Sequence, residues 1–129
     1  MNFLVDTHLL IWAAQGNPKL SHTAAEIISS NDNHLWVSAV SLWEIALKRG
    51  MARGKFNYDV AQFRAGLLST GYLELSVEGR HILALSAMPM IRSDPFDRLL
   101  NAQAISEGMR LLTADLALGQ YGDHVVMVR

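Results

Sequence analysis

The chain has 129 residues, of which 50% are hydrophobic and 18% are charged. We expect one domain, residues 1–129, with a core of its own, since this composition excludes a disordered or collagen-like chain. Eleven basic and twelve acidic residues give a formal charge of −1, which neither favours nor excludes a nucleic-acid partner.

The sequence contains no segment that predicts a membrane span. The longest unbroken apolar run, Leu9 to Ala14, has six residues, whereas crossing a bilayer takes roughly 20. The beginning of the sequence lacks the basic region of a secretory signal. Without cysteine the chain has no disulfide, thiolate metal site or cysteine nucleophile. We therefore expect a cytoplasmic protein with no membrane partner.

Short apolar runs of strand length alternate with segments of helical period along the chain. The predicted strands are Phe3 to Val5, Leu35 to Val37, Leu73 to Leu75, Leu111 to Thr113 and Val125 to Val128. This alternation predicts the α/β class, with a central, mainly parallel sheet that carries helices on its faces.

Capping residues predict where the first three helices begin and end. The first helix ends before the Asn17-Pro18 pair, and Ser21 is the expected N-cap of the second. Ser41 and Glu44 have the spacing of a capping box, which predicts the start of a third helix that ends near Gly50.

The same signals delimit two later helices. Asp59 is the expected N-cap of the fourth helix, which ends before Gly71. Asp94 at the N-cap and Pro95 at the first helical position predict the start of the sixth, and Gly108 predicts its end.

Four acidic residues fall where strands end or helices begin. Asp6 follows the first strand and Asp115 the fourth, while Glu44 and Asp97 lie in the first turns of the third and sixth helices. Because the carboxyl ends of parallel strands and the amino ends of the following helices share one edge, we expect the four to converge.

Converging carboxylates repel one another unless a cation lies between them. Mg²⁺ or Mn²⁺ prefers oxygen ligands, lowers the pKa of a bound water and polarises a phosphate. The four acids therefore predict a metal-dependent site for phosphodiester hydrolysis.

Each acid also has a purely structural interpretation. Asp6 and Asp115 can cap a helix or turn, Glu44 can complete the capping box, and Asp97 is favoured by the helix dipole. These interpretations stay open for each residue taken alone, and the expected convergence favours the metal site.

Basic residues are concentrated in a 17-residue window. Two interpretations are open: these residues bind the phosphate backbone of a nucleic acid, or they form a solvent-exposed charged face. The residues are Lys48, Arg49, Arg53, Lys55 and Arg64.

Four blocks of the sequence resemble the PIN-domain ribonucleases, specifically the VapC-type toxins of toxin–antitoxin pairs. The resemblance extends over essentially the whole chain in the family's order, and its most specific part is Asp-Pro-Phe-Asp-Arg. The blocks are Phe3 to His8, Val37 to Ile45, Asp94 to Ala104 and Leu112 to Asp115.

The resemblance implies a three-layer α/β/α sandwich, an endoribonuclease that depends on Mg²⁺ or Mn²⁺, a homodimer and a cognate antitoxin. The family's acidic residues fall on Asp6, Glu44, Asp97 and Asp115, and its supporting hydroxyl falls on Thr113.

Two arginines in and beside the most specific block have open roles. Arg98 is a candidate phosphate contact, with a structural ion pair as the alternative. Relatives often have histidine two residues before this block, where the present sequence has Arg92. This departure leaves the four acids in place and leaves open what residue 92 contacts.

Two other functions share the same residues. One is a DNA or flap-type nuclease, and the other is a catalytically weak module that binds RNA or a protein. An antitoxin would need exposed apolar side chains on this chain. Trp12, Trp43 and Phe56 are candidates, although we expect each in the core.

Overall fold

Five parallel strands form one sheet in the computed structural model, which describes residues 1–49, 58–91 and 93–129. The strand order is β3-β2-β1-β4-β5, and all four neighbouring pairs are parallel. This confirms the predicted sheet, and each strand begins and ends within one residue of its prediction. The strands are β1 Asn2–Val5, β2 His34–Ser38, β3 Leu73–Leu75, β4 Arg110–Thr113 and β5 Val125–Met127.

Helices cover both faces of this sheet, which gives the three layers that the resemblance implied. Phe3 and Val5 of β1 pack into one buried cluster with residues of α1, α2 and α4, whereas Leu4 packs into a second cluster with residues of α6. This division follows from the alternation of side chains along a strand. The helices are α1 Thr7–Gln15, α2 His22–Ser29, α3 Ala39–Lys48, α4 Val60–Ser69, α5 Gly79–Ala87, α6 Pro95–Glu107 and a 3₁₀ helix, Leu116–Tyr121.

Most predicted caps are present. The side chains of Ser21, Asp59 and Asp94 accept hydrogen bonds from backbone N–H groups in the first turns of α2, α4 and α6. Gly108 follows α6 with a φ of 66°, a left-handed conformation that glycine adopts without a steric penalty.

The predicted start of the third helix is wrong. Helix α3 begins at Ala39, and its N-cap is Ser38, whose hydroxyl accepts the N–H of Val40 at 2.9 Å. The helix follows β2 without a loop, so Ser38 both ends the strand and caps the helix. Ser41 lies inside the helix, and the predicted end near Gly50 falls outside the described residues.

The aromatic candidates also have unequal positions. Trp12 is partly buried against the first cluster, but Trp43 is 48% exposed. The prediction that Trp43 belongs to the core is therefore wrong, because the buried side of α3 consists of Val40, Ser41, Glu44 and Ile45. Phe56 lies outside the described residues.

Among the residues that the structure describes, no helix is long and apolar enough to cross a membrane.

Candidate active site

A hydrogen bond between neighbouring strands orients the carboxylate of Asp6. Asp6 directly follows β1, and its backbone N–H donates to the carbonyl oxygen of Leu112 in β4 at 3.0 Å. The hydroxyl of Thr113 donates to Asp6 Oδ2 at 2.8 Å and accepts the backbone N–H of Asp115 at 3.1 Å. Because the Thr113 oxygen accepts the Asp115 N–H, its own proton is directed to Asp6. The last residue of β4 therefore holds the Asp6 carboxylate in place.

Burial raises the pKa of Asp6 above its usual value, since the folded chain removes water from the carboxylate. The Thr113 hydrogen bond and the nearby His8 ring act in the opposite direction, and the charge of Glu44 raises the pKa further. Asp6 is only 5% exposed. An anion at this position is therefore destabilised in the protein alone and would be stabilised by a cation.

Helix α3 presents Glu44 to the same site from its second turn, and not from its first turn as predicted, because the helix begins at Ala39. The Thr7 hydroxyl donates to the Ser41 hydroxyl at 2.8 Å, which ties the start of α1, directly after Asp6, to the turn of α3 before Glu44. Glu44 is buried, and its Oε2 lies 2.8 Å from Nζ of Lys48, one turn later. The structure therefore brings Asp6 and Glu44 together, and the predicted capping role of Glu44 is replaced by an ion pair.

Aromatic packing places the start of α6 beside α3. The ring of Phe96 lies 4.5 Å from that of Trp43, and Lys48 Nζ lies 5.1 Å from the centre of the Phe96 ring. Asp97, next to Phe96, is half-buried in the first turn of α6. This packing places the first turn of α6, which contains Asp97, against α3.

Asp115 lies two residues beyond β4 and is half-buried. Its Oδ1 accepts the backbone N–H of Ala117 at 3.0 Å, which caps the 3₁₀ helix. The predicted capping role of Asp115 is therefore confirmed for one of its two carboxylate oxygens. Its backbone N–H simultaneously supports the Thr113–Asp6 hydrogen bond.

Within residues 1–49, 58–91 and 93–129, no three acidic or histidine side chains stand close enough to chelate a metal ion together. The donor chemistry still fits Mg²⁺, which commonly takes one or two protein carboxylates and completes its shell with water and substrate phosphate. Asp6 and Glu44 supply such a pair, whose mutual repulsion a divalent cation would relieve.

The structure describes one of the two arginines whose roles the sequence left open, Arg98. Nε of Arg98 is buried and has no hydrogen-bond partner in the described part of the chain. No ion pair between described residues involves Arg98, so the ion-pair alternative gains no support. Arg92 lies outside the described residues.

The basic window does not form one surface in the part of the chain that the structure describes. Arg64 of α4 pairs with Glu74 of β3, and among the described cations of the window Lys48 is the one that pairs with an acid of the site. Arg53 and Lys55 lie outside the described residues. Sequence reasoning missed the specific role of Lys48, although the four-residue spacing from Glu44 is typical of an ion pair on a helix.

The family model described as PIN domain matches residues 3–123. Ribonuclease VapC22 of Mycobacterium tuberculosis (strain ATCC 25618 / H37Rv) is 31% identical over 118 residues, which are 89% of this chain and 88% of that protein.

Solved structures with the same fold include VapBC2 from Rickettsia felis bound to a DNA fragment from its promoter. The TM-score is 0.71 at 13% identity, over 98% of this chain and 97% of that one. FitAcB from Neisseria gonorrhoeae has a TM-score of 0.65 at 16% identity, over 98% and 96% of the two chains. The chain therefore belongs to the PIN domain family, and the resemblance to VapC-type members that its sequence motifs indicated is confirmed.

Proposed function

We propose that this chain is an endoribonuclease dependent on Mg²⁺ or Mn²⁺ and the toxin of a VapBC-like toxin–antitoxin pair. The observation that carries the proposal is the buried Asp6 carboxylate, oriented by Thr113 and facing Glu44 at the carboxyl edge of the sheet. The name of the 31% identical relative, a ribonuclease, supports RNA as the substrate.

The proposal gives each acid a task. Asp6 and Glu44 hold the divalent cation, and Asp97 and Asp115 hold it directly or through water. When bound, the cation lowers the pKa of a water molecule and stabilises the charge that develops on the phosphate. Glu44 also positions the attacking water, and Thr113 keeps Asp6 in place through its 2.8 Å hydrogen bond.

The test is cleavage of a pool of structured RNAs by the purified, antitoxin-free protein, with Mg²⁺, Mn²⁺ or EDTA. Asp6→Asn and Asp97→Asn are expected to reduce the rate roughly 100-fold or more, the usual effect of removing one stabiliser of a charged transition state. Asp32→Asn is the matched control, because Asp32 is exposed in the turn before β2, away from the acidic site.

The outcome separates the other two functions. Cleavage that persists in EDTA or in Asp6→Asn would contradict the metal site. Cleavage of DNA or flap substrates in preference to RNA would indicate the DNA nuclease. RNA binding without cleavage, in a folded protein that binds Mn²⁺ by calorimetry, would indicate the binding module.

The partner proposals follow from the family. The antitoxin is supported by the VapBC structures with the same fold. Co-expression with the neighbouring reading frame should relieve toxicity and yield a co-purifying complex. We also propose that the protein is a homodimer, and light scattering measures its mass in solution. We further propose a cytoplasmic location, which cell fractionation tests. A monomer or a membrane-bound fraction would contradict these two proposals.

A further inference from the structure

An open cleft of about 630 Å³ lies next to the acidic site. One wall is Lys48 in the last turn of α3, and the other is the segment that leads into α6. That segment contributes Ile91, Ser93 and Asp94, and the first turn of α6 adds Pro95 and Phe96.

Lys48 joins this cleft to the acidic site. Its Nζ lies 2.8 Å from Glu44 Oε2 and 5.1 Å from the centre of the Phe96 ring, so the ring face stabilises the ammonium group. The Lys48 side chain is 31% exposed, whereas that of Glu44 is 6% exposed. The cation is therefore the member of the pair that a molecule in the cleft meets.

We propose that this cleft binds the nucleotide next to the scissile phosphodiester of an RNA strand, with the Lys48 ammonium contacting its phosphate. This inference rests on the proposed ribonuclease function and assigns Lys48 as a substrate-positioning residue. A lysine ammonium has three hydrogen-bond donors and no acceptor, so it can serve the Glu44 carboxylate and a phosphate oxygen together.

The charge balance of the cleft agrees with an anionic ligand. Among the described residues that line the cleft, the other charged one is Asp94, whose Oδ1 accepts the backbone N–H groups of Phe96 at 2.9 Å and Asp97 at 3.2 Å. The positive end of the α6 dipole offsets that carboxylate. Lys48, on the wall opposite Asp94, therefore presents its positive charge to a phosphate bound in the cleft.

The test is RNA binding without cleavage. A fluorescein-labelled single-stranded RNA is titrated in EDTA with each protein variant, and fluorescence anisotropy is followed at several KCl concentrations. Lys48→Met should weaken binding about tenfold, since a hydrogen bond to a charged group is lost. The slope of log K against log salt should fall by roughly 0.7, the value for one phosphate contact with a single strand.

Two control variants test position and charge. Lys48→Arg keeps the cation and should restore most of the affinity and slope. Lys19→Met removes the same charge from an exposed position between α1 and α2 that does not line the cleft, and it should leave both nearly unchanged. Circular dichroism establishes that each variant is folded.

A double-mutant cycle separates a phosphate contact from simple neutralisation of Glu44. In the Glu44→Gln background no carboxylate remains to be neutralised, and Lys48→Met should still lower both affinity and salt slope. Unchanged binding in that background would show that Lys48 serves only Glu44 and would overturn the inference.

The failures of the two proposals are distinguishable. If the wild-type protein cleaves RNA and Lys48→Met binds RNA as tightly as Lys19→Met, the inference about the cleft fails alone. If the wild-type protein neither binds nor cleaves RNA, the proposed function fails and this inference with it.

Discussion

The hydroxyl of Thr113 donates a 2.8 Å hydrogen bond to the carboxylate of Asp6, although the two residues are 107 positions apart in the sequence. They meet because β1 and β4 are adjacent parallel strands whose carboxyl ends share one edge. The bond orients the Asp6 carboxylate, and burial of this carboxylate makes its ionisation costly. Its geometry leads directly to two predictions.

Asp6→Asn is expected to stabilise the fold near neutral pH while reducing the rate of RNA cleavage roughly 100-fold or more. Burial raises the pKa of Asp6, so the folded protein holds the carboxyl proton more tightly than the unfolded chain does. Asp6 therefore favours folding at low pH and loses that contribution as pH rises through its folded-state pKa. The asparagine carries no such charge and can still accept the Thr113 hydrogen bond. We expect Tm to rise by about 4 °C, the shift that ~1 kcal/mol gives in a domain of this size.

Thermal unfolding of both proteins in metal-free buffer, from about pH 4 to about pH 8, checks this prediction. The gain from Asp6→Asn should grow with pH, whereas the exposed control Asp32→Asn should show no such trend. A lower Tm for Asp6→Asn across the whole range would contradict the unfavourable burial of the Asp6 charge.

Thr113→Val is expected to lower the rate of RNA cleavage and the Mn²⁺ affinity by about 10–100-fold, the range for losing a residue that orients a ligand. Valine has the shape of threonine but leaves Asp6 without its donor and the Asp115 N–H without its acceptor. Thr113→Ser retains the hydroxyl and should recover most of both. Cleavage assays and calorimetry with Mn²⁺ measure the two effects, and equal loss in both variants would indicate a packing defect instead.

Tyr72→Phe is expected to raise the free energy of unfolding by about 1 kcal/mol, since a buried polar group without a partner is costly. The Tyr72 hydroxyl is buried and has no hydrogen-bond partner among the described residues, and burial raises the pKa of Tyr72 to about 12. Urea denaturation measures the change. Tyr58→Phe is the comparison, because the Tyr58 hydroxyl bonds to Gln15. A loss of stability in Tyr72→Phe would mean that its hydroxyl has a partner in solution.

Gln103→Leu is expected to lower the free energy of unfolding by about 2–3 kcal/mol, because it strands buried polar groups. Gln103 is fully buried in α6. Its Oε1 accepts the Ser38 hydroxyl at 2.5 Å, and its Nε2 donates to the Ser76 carbonyl at 3.2 Å. The matched control is Gln62→Leu on the exposed side of α4, which should change stability by less than ~0.5 kcal/mol. Urea denaturation distinguishes the two, and similar values would contradict the buried network.

Much of the fold could be predicted from local signals. Apolar runs mark the strands, and the caps at Ser21, Asp59 and Asp94 mark helix starts, because both depend on residues close in the sequence. The sequence alone misplaces the start of α3, because serine at position 38 and serine at position 41 both suit an N-cap. The pairing of Ser38 with Leu75 in the sheet decided between them, and that contact is not local.

The sequence by itself determined the parallel α/β class, the family and which four acids are candidates for the site, although Glu44 lies in the second turn of α3 and not in the first. Only the tertiary structure decided that Asp6 accepts the Thr113 hydrogen bond, that the Thr7 hydroxyl bonds to Ser41 and that Lys48 lies over the Phe96 ring. The physical reason is that burial and distance between remote residues depend on how strands and helices pack. These quantities set the pKa of Asp6 and the charges around the site, and no local pattern contains them.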